Sequence, residues 1–410
     1  MEEWPNILAS EYCYNVTDGT HDSPKPVTNG RYLITSKHIK NNEIDFESAY
    51  TISENDYQKI ISRSRVNQWD IIISMIGAYC GFCYIESSNK TDYAIKNVGL
   101  FKVGDEIKCK WLYYYLTSPQ GKQQLSMLRS GSTQPYIALS SLRNLSIPVP
   151  NSDIMESIVR IMDSIDAKIK VNRQINDNLE QQAQALYKSW FIDFEPFKDG
   201  KFEESEIGFI PEGWHVGKAG DFYEINIGKT PPRKEHEWFT LDKSQNIWVS
   251  ISDLGSNGRF LFNSSEYLTD KAIQSHNIVL VPEDTVLLSF KLTIGRVGIA
   301  GTQLTTNEAI ARFITNSVNR EYTYFLLKNF NYSKLGSTSS IATAVNSKII
   351  KAMMVLMPNN ESLLNFKKLV GPIIDGIKKN EEEILCLTEL RDNLLPKLMS
   401  GELEINEIDC

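Results

Sequence analysis

The run Asp153–Leu186, DIMESIVRIMDSIDAKIKVNRQINDNLEQQAQAL, read at helical spacing, lays Ile154, Ile158, Ile161, Ile165, Ile169, Asn172, Leu179 and Leu186 on one narrow stripe. A second copy lies 208 residues downstream, where Ile158 falls on Phe366, Ile165 on Ile373, Ile169 on Ile377, Asn172 on Asn380, Leu179 on Leu387 and Leu186 on Leu394. Steps of four and three describe a coiled-coil seam rather than the wider apolar face of an ordinary globular helix. A helix of roughly 34 residues at ~1.5 Å per residue is about 50 Å long. So long and narrow a stripe needs a mate of equal length, and two seams in one chain predict that each is the other's mate. Asparagine at an apolar position costs stability unless its amide finds a partner, and such residues fix register. Asn172 and Asn380 are therefore expected inside the shared seam.

The self-similarity extends outward from the helices. Glu3-Trp4 matches Gly213-Trp214 at a shift of 210, and at the same shift Thr20 of Asp18-Gly19-Thr20 meets Thr230 of Gly228-Lys229-Thr230. Tyr32–Ile39 parallels Ile247–Leu254, and both read as short strands leaving a turn. The apolar runs Asp70–Met75 and Asp284–Phe290 suit buried strands. Each is followed by a Gly-containing turn, another strand and a short amphipathic helix, Lys110–Leu116 or Glu321–Leu327. Ser130–Pro135 and Leu335–Ser340 come next, and each half closes with a strand ending in proline, Leu145–Pro150 or Met353–Pro358. A period this long indicates a duplicated α+β domain, not a solenoid. The expected order is a first domain over 1–150, a helix over 151–187, a linker over 188–210, a second domain over 211–358, a helix over 359–400 and a tail over 401–410. An antiparallel helix pair would set the two domains at opposite ends, related by a pseudo-two-fold axis. About 50 Å is about 15 base pairs at ~3.4 Å each, so two such domains could sit on one face of one duplex.

Composition narrows the class. The net charge of −8 argues at first against a nucleic-acid partner. Its distribution reverses that: residues 1–150 carry 15 basic and 15 acidic side chains and residues 201–358 carry 16 of each, whereas residues 151–200 carry 6 against 9 and residues 359–410 carry 6 against 11. The helical segments hold the whole negative excess, leaving the globular parts free to present basic patches. Neither a run of 18 apolar residues nor a signal peptide is present, so a cytoplasmic protein is expected. Six cysteines spread over the chain fit reduced thiols. Cys80 and Cys83 form a CxxC without a second pair, and are read as half-buried strand residues rather than a metal site.

At this point the residues resemble a known family, the specificity (S) subunits of type I restriction-modification enzymes, over essentially the whole length. Ala185–Phe194 followed by Ile210-Pro211-Glu212-Gly213-Trp214 looks like its central conserved region, and Leu394–Glu402 like its C-terminal one, with Gly131-Ser132-Thr133-Gln134 and the duplication in support. The departures are small: the first half opens with Glu3-Trp4-Pro5, and its helix ends in Tyr187-Lys188-Ser189-Trp190 rather than Leu395-Pro396-Lys397-Leu398. The resemblance implies two target-recognition domains that each read half of a split sequence in double-stranded DNA, with a two-helix spacer setting the gap. It also implies docking of two adenine methyltransferase (M) subunits, with or without two translocase-nuclease (R) subunits. Two other readings stay open: a coiled-coil scaffold with two protein-binding domains, and an orphan specificity subunit serving a fused methyltransferase-nuclease.

The chain holds no GxxxxGK[ST], no HExxH and no Asn-Pro-Pro-Phe/Tyr motif, so no catalysis, cofactor or metal is expected. Gly228-Lys229-Thr230 lacks the upstream glycine of a phosphate loop and reads as a turn. DNA contacts call for Arg and Lys, amides, and small hydroxyls in loops. The candidates are Lys25, Arg31, Lys37, His38, Arg63, Arg65, Arg129, Ser132, Thr133, Gln134 and Tyr136 in the first domain. In the second they are Lys229, Thr230, Arg233, Lys234, Ser252, Lys291, Arg296, Thr338 and Ser339. Gln134 is the favoured base reader, and weak binding is expected without partners. The acidic Asp163, Asp166, Glu381, Glu382 and Glu383, with the aromatic Trp190, Phe191 and Phe194, are expected to meet a methyltransferase subunit.

Overall fold

The structure is a computed structural model, and it describes residues 4–40, 42–131, 135–256, 258–316, 318–335 and 345–403. The chain divides into two compact units, one taking residues up to Lys168 and again from Leu387, the other Ile169–Cys386. Each unit therefore carries a sheet domain together with a length of both long helices.

In the first unit, β1 (Asn15–Asp18), β3 (Asp70–Ser74), β4 (Cys83–Ile85) and β6 (Val98–Lys102) form an antiparallel sheet in the order β1-β6-β3-β4. β3 is buried at every residue, as its unbroken apolar run requires of a central strand covered on both faces. Beside this sheet, β2 (Arg31–Ile34) runs parallel to β5 (Tyr93–Ile95), Leu33 opposite Ala94. Helix α1 (Glu106–Thr117) begins where the Asp105 carboxylate accepts from the Lys108 amide at 2.8 Å, and buries Cys109, Trp111, Leu112 and Leu116. Asn6–Leu8 pairs antiparallel with Ser146–Pro148, so the domain's first and last strands are zipped together beside the start of the long helix α2 (Ser152–Phe191).

The second unit repeats the order of the four main strands and adds one more. β7 (Glu224–Ile227), β9 (Val286–Ser289), β10 (Val297–Ala300) and β11 (Ile310–Ile314) take the order β7-β11-β9-β10, and Phe260–Leu261 adds a parallel edge. β8 (Asn246–Val249) runs parallel to Thr305–Thr306, as β2 does to β5. Helix α3 (Arg320–Asn329) stands where α1 does, and His215–Lys218 closes on Met354–Met357 before α4 (Asn360–Met399). The turn after the first sheet strand needs glycine in both units. A Cβ on Gly19 would lie 2.4 Å from the Ile95 carbonyl oxygen, and one on Gly228 would lie 2.1 Å from that of Asn307.

Both long helices run 40 residues. Within the second unit they are antiparallel: Asn172 donates to Glu383 at 2.7 Å and, one turn further along α2, Asn176 accepts from Asn380 at 2.8 Å. Asn176 also donates to the Ile377 carbonyl at 3.4 Å. Within the first unit Arg391 of α4 reaches Asp166 of α2 at 3.0 Å. Ile158, Ile165, Ile169, Asn172, Phe366 and Ile377 are buried, whereas Leu179, Leu186, Ile373, Asn380, Leu387 and Leu394 are half-buried. The amide that meets Asn380 is thus that of Asn176, a seam position the apolar stripe does not reveal.

Residues 188–210 open inside helix α2 and close in a hairpin. Helix α2 continues to Phe191 because its last aromatics have somewhere to go, and stops where Phe194 turns left-handed at φ 53° ahead of Pro196. Phe202–Ser205 and Gly208–Pro211 then form a hairpin.

Candidate nucleic-acid interface

The loops that leave the sheets carry the candidate DNA contacts. In the first unit, the segment after β3 and the segment around 129–136 are tied together: Ile76 bridges Tyr136, the Gly77 amide donates to the Pro135 carbonyl, and Arg129 donates to the Cys80 carbonyl at 2.7 Å. Arg129 and the half-exposed Tyr136 therefore share one surface with Tyr79, Phe82 and Lys40, whose ammonium lies 5.9 Å from the Tyr79 ring centre. Lys40, Tyr79 and Phe82 were not expected, and nothing in their spacing marks them. Ser132, Thr133 and Gln134, and in the second domain Thr338 and Ser339, lie outside the described residues.

Other first-domain candidates have local duties. Arg63 donates to the Gly19 carbonyl at 2.6 Å and to Asp18, bracing the loop that follows β1, while the Lys25 and Lys37 side chains on nearby segments stay exposed. Arg31 is paired with Glu54 at 3.1 Å and Asp92 at 3.5 Å. Arg65 is exposed. His38 is a correction: it is fully buried, its Nδ1 accepting from the Thr35 amide at 3.0 Å to cap a helical turn. Burial, followed by the nearby Lys37, holds its pKa below the ordinary value. It is a core histidine. Cys80 and Cys83 are buried too, and burial pushes the Cys83 thiol up to about 12, an inert group.

In the second unit Lys229, Thr230, Arg233 and Lys234 lie on one loop. Lys229 donates to the carbonyls of His276 and Asn277 at 3.3 and 3.1 Å, and Thr230 donates to Glu308. The Lys229 carbonyl accepts from the Trp248 indole at 3.1 Å. The loop is a braced turn, as its residues suggest. Arg233 is ion-paired to Glu266 at 2.8 Å, and Lys234 is exposed. Ser252 lies on the helical turn after β8, and Lys291 and Arg296 lie on the β9–β10 hairpin. Arg296 donates to the Ile251 carbonyl at 2.7 Å and so pins the helical turn after β8 to the β9–β10 hairpin, whose tip residue Leu292 is 99% exposed.

The acidic helix residues mostly face their own domains. In the first unit Asp163 pairs with Lys110 at 2.8 Å, and Asp166 accepts from Tyr114 at 3.1 Å. In the second, Glu381 is buried and accepts the backbone amides of Arg259 and Phe260 at 2.7 and 2.6 Å. Burial raises its pKa despite those amides and the nearby Arg259 guanidinium. Glu180 binds Arg259, Lys328 and the Tyr324 hydroxyl; burial opposes its ionisation, but these partners prevail and hold its pKa below the ordinary value. Trp190, Phe191 and Phe194 likewise turn inward. Phe191 is buried with ring centres 4.8 Å from both Tyr322 and Phe366, and Trp190 and Phe194 pack half-buried around it. An acidic or aromatic run on a helix does not say whether its mate is another protein or the chain's own domain. Here the domain takes Asp163, Asp166, Glu381 and Phe191.

With this geometry in view, the family model described as "Type I restriction modification DNA specificity domain" matches the chain twice, over residues 25–181 and 211–364. The chain belongs to this family. Each matched copy takes in most of one sheet domain and part of the helix after it, the first starting beyond β1. Among relatives, the type I restriction enzyme MjaIX specificity subunit of Methanocaldococcus jannaschii is 28% identical over 315 residues, covering 74% of this chain and 71% of that protein. The type I restriction enzyme HindI specificity subunit of Haemophilus influenzae is 26% identical over 359 residues, covering 72% and 77%. In fold, the chain is similar to the S subunit of the type I restriction-modification system from M. genitalium, with a TM-score of 0.54, 16% identity and 96% coverage of each chain. No helix among the described residues is long and apolar enough to cross a membrane.

Proposed function

We propose that this chain is the DNA-recognition subunit of a type I restriction-modification assembly, in which each sheet domain reads one half of a split site in double-stranded DNA. The observation that carries the reading is the duplication: one strand order and one parallel strand pair are built twice, each with its own set of loops, and the family match falls on both copies. The chain's part is recognition, and methylation and cleavage belong to its partners. Those partners are two methyltransferase subunits, with or without two translocase-nuclease subunits. Docking draws on Glu382 and Glu383, which stay exposed on α4, and on the half-buried edges of Trp190 and Phe194. Lys25, Lys37, Arg65, Arg129, Tyr136, Lys234, Ser252 and Lys291 supply DNA contacts.

The test is to map methylated adenines in a host that carries this chain with its methyltransferase subunit. A motif of two short specific blocks separated by a fixed unspecified gap is expected, and exchanging residues 211–358 for those of another family member should change one block only. Methylation without a split motif, or a change in both blocks, overturns the reading.

A further inference from the structure

Arg233 differs from every other basic residue in these loops in the way it is held. Its guanidinium carbon lies 4.3 Å from the ring centre of Phe239 and 4.6 Å from that of Trp248, two rings set edge to face at 70°, so the guanidinium sits in the corner they form. Its Nη1 donates to both oxygens of Glu266, at 3.0 and 2.8 Å. Among the described residues, Nε and Nη2 have no acceptor. The side chain is nevertheless 51% exposed, so half of a pre-oriented fork points to solvent from a loop of the second reading domain. The loop itself is braced on both sides. Gly228 is pressed against the Thr306 and Asn307 carbonyls, and the Trp248 indole that stacks on Arg233 also donates to the Lys229 carbonyl.

We infer that Arg233 and Glu266 together read one G·C base pair in the half-site contacted by the second domain. This rests on the proposed DNA-reading function. An arginine fork matches the O6 and N7 acceptors of guanine, and a carboxylate accepts from the N4 amino group of the paired cytosine. The same pair is ill suited to a phosphate, because the Glu266 carboxylate beside the fork would repel the anion. Contact with both rings and the ion pair to Glu266 restrict the side chain beforehand and lower the entropy lost when the fork docks, which favours a specific contact over a general one. The corresponding loop of the first domain, between Gly19 and Gly30, contains no arginine, and setting Gly19 on Gly228 places Pro24 opposite Arg233. The first half-site is therefore read without this device.

The experiment uses the full chain assembled with its methyltransferase subunit on a DNA library randomised across the site, scored by which sequences become methylated. The wild-type assembly should demand a G·C pair at one position of the second block. Arg233→Lys keeps the charge and loses the planar fork, and it should relax that position alone by roughly 5- to 150-fold, the discrimination a bidentate arginine–guanine contact supplies. Glu266→Gln should relax the same position less, with the other block unchanged in both variants. In the neutral variant Arg233→Met, uniform weakening over all sequences, with the salt dependence of binding reduced by about one counterion, would make Arg233 a phosphate contact and overturn the inference. An unchanged motif in Arg233→Lys would overturn it as well. A wild-type assembly that leaves no split motif defeats the underlying DNA-reading function, whereas a split motif indifferent to Arg233→Lys and Glu266→Gln defeats this inference alone.

Discussion

The two units share a strand order but are fastened to their helices by different chemistry. In the first, the polar contacts among the described residues run from α1 to α2, Lys110 to Asp163 and Tyr114 to Asp166, with Arg391 of α4 on the same carboxylate, beside the buried aliphatic Ile158, Val159 and Met162 of α2. In the second, an aromatic cluster of Tyr187, Phe191, Trp214, Tyr322 and Phe366 is backed by two ion networks. One centres on Glu180 and Arg259, the other on Arg320, which pairs with Asp284, Glu321 and Asp375. Duplication preserved the backbone plan because strand order and glycine turns are set by sterics. The joints were free to diverge because any combination that buries enough surface and pairs its charges will hold a helix to a domain.

The sharpest break in this comparison is Phe191→Ala. Phe191 touches Tyr187, Trp190, Trp214, Tyr322 and Phe366. Its removal opens a cavity that a cluster of large rings fills poorly, so the second unit should lose about 3–5 kcal/mol. Urea unfolding followed by tryptophan fluorescence would show it as a lower midpoint at unchanged slope. A loss under about 1 kcal/mol would mean that the aromatics at the end of α2 do not anchor the second domain.

Next in size is Glu180→Gln, expected to cost about 2–3 kcal/mol, at or below the low end of the range for a broken buried pair because Lys328 is partly exposed. The amide cannot serve Arg259, Lys328 and Tyr324 together. The pH dependence sharpens the test. Glu180 has a folded pKa below its ordinary 4.5, so its contribution is complete above that value and lost as pH falls through the folded one. Glu381 has a folded pKa above 4.5, so its contribution is present below 4.5 and lost as pH rises through the raised value. Glu180→Gln should therefore flatten the acid loss of stability, and Glu381→Gln should remove a decline on the other side of 4.5.

The parts legible in the sequence were those with a period or a steric demand. The seam announced itself through repeating Ile and Leu, the central strands through unbroken apolar runs, and the Lys229 turn through its flanking glycine and prolines. Asn176 escaped because it is polar, so a search for apolar recurrence steps over it, yet it lies one turn from Asn172 and supplies the oxygen that Asn380 needs. Glu381 read as part of an acidic patch for a methyltransferase subunit, because its actual partners are the amides of Arg259 and Phe260, more than 100 residues away. His38 and Phe191 misled for the same reason: residue type proposes a chemistry, and only the packing decides which way the side chain points. The Arg233 clamp takes rings from positions 239 and 248 and a carboxylate from 266, a convergence with no local signature.

The smallest expected effect falls on the first unit and tests the comparison from its weaker side. Lys110 donates to Glu106 at 2.7 Å and Asp163 at 2.8 Å, and its ammonium lies 5.5 Å from the Trp69 ring centre. Burial works against its charge, but the two carboxylates more than compensate, and its pKa stands above the ordinary 10.5. The carboxylates are themselves about half exposed, so water already screens most of the attraction, and Lys110→Met keeps the aliphatic stem that packs on Trp69. The substitution should cost under about 1 kcal/mol, and high salt should shrink the difference between variant and parent further. A loss comparable to that of Glu180→Gln would mean that the first unit is held to its helices by charge as tightly as the second, and the contrast between the two joints would disappear.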